Sequence, residues 1–208
     1  MKRGIIGVDE AGRGPLAGPV AVGAAYVPAG FDWTFLPSVG DSKQLSEKKR
    51  EEVFKVAKKL KQHGLLDYAV VMSSAAVIDK KGISYAIKNS LEKALLKLSV
   101  ESDTVTVLLD GGLKAPDIYK DQQTIIKGDS LERVIGLASI MAKVTRDRYM
   151  VQKSAEPIFA PYDLATHKGY GTKSHREAIA KNGLSPLHRA TFCRNIKIRV
   201  IPGQRHKK

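Results

Sequence analysis

Residues 104–109, Thr-Val-Thr-Val-Leu-Leu, form a near-continuous apolar run ending at Asp110-Gly111-Gly112. A run of this kind is the mark of a strand buried on both faces, which helices must cover above and below. The two glycines after it read as a turn. Around this strand the pattern predicts others at 3–8, 19–27 (PVAVGAAYV), 67–72 (DYAVVM) and near 123–126. Ser46 is placed to cap a helix over 47–63 with Val53, Val56, Ala57 and Leu60 on one face. A second helix is expected over 83–99, carrying Ile83, Ile87, Leu91, Leu95 and Leu98. A third is expected over 130–153, with Leu137, Ile140, Met141 and Val144 facing inward. A glycine-rich loop at 167–172 then precedes one or two short helices between 174 and 193. Early strands in succession, followed by strand–helix alternation, predict an α/β sandwich with a mixed sheet. The 208 residues suffice for one core of ordinary size.

Charge narrows the choice of partner. The chain carries 35 Lys and Arg against 21 Asp and Glu, a net +14. This balance favours a polyanion, nucleic acid ahead of an anionic membrane. Residues 151–208 hold 12 of the cations and 3 of the acids, which makes this segment the natural place to grip a duplex. For residues 197–208 a merely solvated basic tail is an equal alternative; for Lys168 to Arg189 contact with nucleic acid is the better reading. No apolar run is long enough to span a bilayer, and the stretch after Met1-Lys2-Arg3 is too short for a signal-peptide core, so a cytoplasmic protein is expected. The single cysteine, Cys193, can form no internal disulfide and no cysteine-based zinc site, and is expected near the surface.

Acidic residues are scarce, so their placement carries information. Asp9 and Glu10 close the first apolar run, Asp110 closes the most buried strand, and Asp129 opens the long helix. In open α/β sheets such ends converge on one cleft. Carboxylates brought together repel one another, and a hard divalent cation relieves the repulsion. Four of them can hold two ions about 3.5–4 Å apart, the arrangement used for in-line attack on a phosphodiester. Each acid has a plainer reading. Asp129 suits a helix N-cap, Asp110 a turn, and Asp9-Glu10 an exposed strand end.

The segment Asp9-Glu10-Ala11-Gly12-Arg13-Gly14-Pro15-Leu16-Ala17-Gly18-Pro19 tips the balance. It is neither a dinucleotide-binding loop nor a P-loop. Gly12 and Gly14 allow the backbone to approach a phosphate or sugar closely, and Arg13 between them adds a cation. This segment resembles the signature of ribonuclease HII, and the resemblance continues along nearly the whole chain. Asp41-Ser42-Lys43-Gln44-Leu45-Ser46, Leu109-Asp110-Gly111 and Lys127-Gly128-Asp129-Ser130 follow in the family's order. So do Ala138-Ser139 through Arg146-Asp147, His167-Lys168-Gly169-Tyr170-Gly171-Thr172, and His188-Arg189 with Phe192.

The resemblance implies an α/β, ribonuclease H-like fold: a mixed five-stranded sheet flanked by helices, with a helical C-terminal segment. Residues 1–208 then form a single catalytic domain, 1–154 its core and 155–208 a basic C-terminal part. Asp9, Glu10, Asp110 and Asp129 become the metal-binding catalytic carboxylates for Mg2+ or Mn2+ in a two-metal mechanism. Gly12, Arg13 and Gly14 would read the 2′-hydroxyl, which separates ribose from deoxyribose. Tyr170 would stack on a sugar, and Lys43 and Lys143 would contact phosphates. Ser139, Arg146 and Asp147 would brace the helix behind Asp129. His167, His175 and His188 would bond backbone or phosphate and not a metal. The implied substrates are RNA–DNA hybrids and DNA duplexes containing ribonucleotides, cut by a monomer, with a replication partner an open question. A nuclease of the same fold acting on DNA alone and a non-catalytic nucleic-acid-binding protein are the alternatives.

Overall fold

The computed structural model describes residues 3–41 and 45–198. Five strands form one mixed sheet in the order β3-β2-β1-β4-β5. They are β1 (Gly4–Ala11), β2 (Val20–Val27), β3 (Asp67–Ser73), β4 (Val105–Asp110) and β5 (Gln122–Ile125). The first three pair antiparallel, while β4 and β5 run parallel with β1. The expected mixed sheet is therefore present. Its parallel half arises because long crossovers, not tight turns, return the chain to it: helices between β3 and β4, and the irregular stretch 111–121 between β4 and β5.

Helices cover both faces. On one side lie α2 (Ala75–Lys81) and α3 (Ile83–Leu96), with Ile78, Ile87, Leu91 and Leu95 packed on Val107 and Leu109. On the other lie α1 (Glu47–Gln62) and the end of the long central helix, where Val53, Ala57 and Leu60 join Leu108, Leu137 and Ile140. Alternate residues of β4 thus enter two different cores, as its apolar run predicts. Truncating a fully buried member such as Leu137 to Ala would cost about 2–5 kcal/mol.

The central helix approaches the sheet so closely that side chains must be missing. A Cβ on Gly7 would sit 2.3 Å from the Val134 backbone, and one on Gly23 2.3 Å from the Ala138 carbonyl. Two glycines on adjacent strands therefore set the helix depth.

Local signals place the element ends well. Ser46 caps α1 by accepting from the Lys49 N–H at 3.2 Å. Four expectations need correction. Strand β1 does not stop before the acids but runs through Asp9 and Glu10 to Ala11, because it keeps pairing with β2 as far as Ala21. Helix α2 stands where the sequence suggested nothing regular, capped by Ser74 and ended at Gly82 with φ 86°. The helix expected over 130–153 is two pieces, α4 (Gly128–Leu131) and α5 (Arg133–Ser154), broken at an extended Glu132. Val56 stays exposed on the flank of α1 instead of joining its buried face.

The C-terminal part wraps the far end of α5. It comprises α6 (Leu164–His167), α7 (Lys173–Asn182) and 3-10 turns at Pro157–Tyr162 and Ala190–Phe192. Phe159, Tyr162, Leu164, Ile179 and Leu187 form a separate cluster around Met150, Leu16 and Ala17. Cys193 lies inside this cluster and not near the surface. Among the described residues no helix is long and apolar enough to cross a membrane.

Candidate active site

The register of the parallel pair places the acids. Val8 is opposite Leu109, so one step further Asp9 and Asp110 stand side by side at the C-terminal ends of adjacent strands. Neighbouring strands are only about 4.8 Å apart. Asp129 joins them from α4, and its N–H lies 3.4 Å from Asp110 Oδ1. The break at Glu132 makes this possible. It lets the 128–131 turn fold back over α5, where Gly136 leaves room: a Cβ there would sit 3.0 Å from the Asp129 carbonyl. Asp129 is thus held inside a turn and is not the N-cap, a position taken by Lys127 in the left-handed conformation.

Glu10 follows a different geometry. Strand alternation turns it toward the α3 side, with its partner Val22, away from the face holding Asp9. There Arg13 donates to its Oε1 at 3.1 Å. The sheet therefore gathers Asp9, Asp110 and Asp129 on one face and leaves Glu10 at the rim beside the glycine loop.

Asp9 is 5% exposed. Burial pushes its carboxyl up to about 7; a hydrogen bond with Ser139 opposes the rise, and the charges of Asp110 and Glu10 add to it. A carboxylate this destabilised gains more than most from a cation. Among the described residues no three Asp, Glu, His or Cys side chains already stand as a closed set of metal ligands. The donors are nonetheless all oxygens, two of the acids are nearly buried, and their charges raise one another's cost, which suits a hard divalent ion.

Beside the carboxylates a cleft of about 350 Å³ is lined by Glu10, Gly12, Arg13, Gly14, Arg50, Ser139, Lys143 and Tyr170. Arg13 is open to solvent, its side chain 59% exposed. Lys143 is held by Asp147 at 2.9 Å and sits 5.5 Å from the centre of the Tyr170 ring. The cleft thus combines cations, an exposed aromatic ring and a glycine loop. Lys43 lies outside the described residues. Arg50 and Ser139 were not anticipated as cleft residues. Ser139 stood inside a singled-out motif, whereas nothing in the sequence separates Arg50 from the lysines around it.

Two fully buried arginines support the glycine loop from below. Arg146 donates to the carbonyls of Pro19 at 2.8 Å and Ala17 at 3.1 Å. Arg189 donates to Gly18 at 3.0 Å, Arg13 at 2.9 Å and Gly12 at 2.7 Å. Burial, then the nearby Arg146, pulls the Arg189 guanidinium down to about 10, so it remains charged at neutral pH. Arg189 was expected among the cations that meet nucleic acid; with no exposed surface it cannot be one. The exposed cations of that stretch are Lys173, Arg176 and Lys181 on α7.

The three histidines pack together, His167 stacked on His175 and His175 hydrogen-bonded to His188, and their tautomers follow from their partners. His167 Nδ1 accepts from the Gly169 N–H at 3.2 Å, so its Nε2 donates to the Tyr162 carbonyl. His188 Nδ1 accepts from the Ser185 N–H at 2.9 Å, so its Nε2 donates to His175 Nε2 at 3.0 Å. His175 Nδ1 then donates to the Tyr170 carbonyl at 2.9 Å. The network fixes the backbone that presents the Tyr170 ring.

The chain is similar to known proteins over most of its length. The family model for ribonuclease HII matches residues 6–195. The ribonuclease HII of Endomicrobium trichonymphae is 42% identical over 188 residues, covering 90% of this chain and 84% of that protein. Among solved structures, the ribonuclease H2 of Pyrococcus horikoshii OT3 superposes with a TM-score of 0.66 at 25% identity, covering 93% of this chain and 97% of that one. The ribonuclease HII of Archaeoglobus fulgidus, solved as a complex with PCNA, gives a TM-score of 0.65 at 25% identity over 85% of each chain.

Proposed function

Since the chain belongs to the ribonuclease HII family and is a ribonuclease H endonuclease, we propose that it hydrolyses the RNA strand of RNA–DNA hybrids and cuts duplex DNA on the 5′ side of a single embedded ribonucleotide. The ends left are 3′-hydroxyl and 5′-phosphate. The observation that supports this most is the meeting of Asp9, Asp110 and Asp129 beside a cleft whose wall is the Gly12–Gly14 loop.

Asp9, Asp110 and Asp129, with Glu10 reaching in from the rim close enough for its charge to act on Asp9, would hold Mg2+ or Mn2+. When bound, the ions supply an activated water and charge stabilisation at the leaving oxygen. The remaining work falls to the chain itself. Lys143 faces the backbone phosphate, with Asp147 holding its ammonium in place. Tyr170 offers its exposed ring to the sugar beyond the cut. The Gly12–Gly14 backbone meets the 2′-hydroxyl, and the Arg13 cation steadies the strand beside it. Ser139 donates to Asp9 and opposes the rise that burial imposes on it.

Residues 1–154 would act as the catalytic core and 155–208 as the part that grips the duplex, in a cytoplasmic monomer. Docking to a PCNA-like partner, as in the Archaeoglobus complex, is a further expectation.

The test is a labelled DNA duplex carrying one ribonucleotide, incubated with protein and Mg2+, with an all-DNA duplex and a chelator as controls. A single metal-dependent cut on the 5′ side of the ribonucleotide is the expected result. Cutting of the all-DNA duplex would point to a DNA nuclease of the same fold. Salt-sensitive binding with no cleavage in Mg2+ or Mn2+ would point to a binding protein.

A further inference from the structure

Arg189 lies 177 positions along the chain from Gly12, yet its guanidinium reaches the carbonyls of Gly12, Arg13 and Gly18. The described peptide bonds include no cis bond. In a trans peptide the carbonyl and the N–H of the next residue point in opposite directions. With the Gly12 carbonyl turned down onto Arg189, the Arg13 N–H is turned up. With the Arg13 carbonyl turned down, the Gly14 N–H is turned up as well. Arg189 is fully buried beneath the loop, while Arg13 and Gly14 are exposed on the cleft side. The guanidinium therefore sets two consecutive backbone donors facing the cleft.

Arg189 is itself held firmly. Its N–H donates to the Leu16 carbonyl at 2.8 Å, and Gly18 N–H donates to the Leu187 carbonyl at 2.8 Å. Just beyond, Asp79 of α2 accepts from the N–H groups of Ala190 at 2.8 Å and Thr191 at 3.0 Å. The C-terminal part is thereby tied both to the loop and to the opposite side of the sheet.

We infer that Arg189 is a positioning residue for ribose recognition: it locks the Gly12–Gly14 peptides so that the Arg13 and Gly14 N–H groups face the sugar of the bound ribonucleotide. The inference rests on the proposed role of that loop in reading the 2′-hydroxyl. It does not make Arg189 a catalytic residue, since the guanidinium touches no substrate.

The test compares wild type with Arg189→Lys and Arg189→Met. Lys keeps the charge but cannot span three carbonyls, and Met keeps only the bulk. Two quantities are measured on protein shown by thermal melting to be folded. One is kcat/KM on the duplex with a single ribonucleotide, and the other is Kd for the all-DNA duplex with Ca2+ in place of Mg2+. The first should fall about tenfold or more in Arg189→Lys, the scale of one lost hydrogen bond, while the second changes little. Arg189→Met should fall further. A purely structural role would reduce the competent fraction and weaken both quantities together, and that outcome overturns the inference, as does a folded variant with unchanged kcat/KM.

Should neither variant fold, the wild-type protein decides. In 15N-labelled protein the Arg13 and Gly14 amide signals should shift more with the ribonucleotide duplex than with the all-DNA duplex. Equal shifts with the two duplexes overturn the inference. If wild type cuts no ribonucleotide-containing substrate at all, the proposed function fails first. If it cuts selectively and the Arg189 variants remain as selective, only this inference fails.

Discussion

At the scale of single residues, the glycine loop contains two glycines that are glycine for different reasons. Gly12 has φ 86°, and a Cβ there would lie 2.0 Å from Arg146 Nε. Gly14 has open space around its missing Cβ. The fold therefore requires the first and not the second. Gly12→Ala should destabilise the protein by more than about 2 kcal/mol, because strain and overlap add. Gly14→Ala should melt within about 0.5 kcal/mol of wild type, yet lose activity on the ribonucleotide duplex, because the added methyl faces the substrate. Thermal melting and kcat/KM on both variants check this; equal stability losses would refute it. Asp110→Asn should lower kcat by at least about a thousandfold, roughly 4 kcal/mol of transition-state stabilisation. It should melt no lower than wild type, since one of several mutually repelling charges is gone. It should also lose most of the rise in melting temperature that Mg2+ gives wild type. Wild-type activity in that variant would remove Asp110 from the site.

Elements meet the site through their ends and breaks. The interruption at Glu132 turns one expected helix into two and delivers Asp129 to Asp110. The loop before α7 depends on the histidine chain. Burial, with His175 nearby, pulls His188 down to about 4, and burial lowers His175 as well. The unfolded chain takes up protons at these histidines near their ordinary value of 6.5, whereas the folded protein resists doing so. Stability from this network is therefore complete above about pH 6.5 and is lost as pH falls toward 4. Asp9, held up at about 7, acts in the opposite sense and stabilises as pH falls from 7 to 5, so the histidine share is read by difference: His188→Gln, which removes the titrating ring, should lose less melting temperature between pH 7 and 5 than wild type, or gain more. An identical slope in that variant would show that other groups carry the pH dependence. The start of α1 was legible in the sequence, since Ser46 caps by side-chain chemistry that acts within three residues; Ser74 caps α2 in the same way but had not been singled out. The break at Glu132 was not. It comes from Gly136 yielding to a folded-back turn, and periodicity across the break remains helical on both sides.

For the whole molecule, the net charge of +14 is distributed so that the C-terminal part contributes most. Binding to any duplex should weaken steeply with salt. Lys173 opens α7 three residues beyond the cleft residue Tyr170 and is exposed, so Lys173→Ala should reduce the slope of log K against log salt by about one without changing the site of cutting. A slope equal to that of wild type would place the duplex elsewhere.

The sequence by itself determined the five strands, α1 with its Ser46 cap, α3, the doubly buried character of β4 and the order of the acidic motifs. Each rests on interactions among residues a few positions apart, or on periodicity along one element. Only the tertiary structure decided that Glu10 faces away from Asp9, that Arg50 lines the cleft, and that Arg189 is buried under the loop and kept from the duplex. Asp9 and Glu10 are neighbours in the chain, but strand alternation sends them to opposite faces once β1 is seen to continue to Ala11. Arg189 bonds partners 176 and 177 residues away, and nothing local distinguishes a cation meant for phosphate from one meant for backbone carbonyls. That distinction lies in burial, which exists only once the chain has closed on itself.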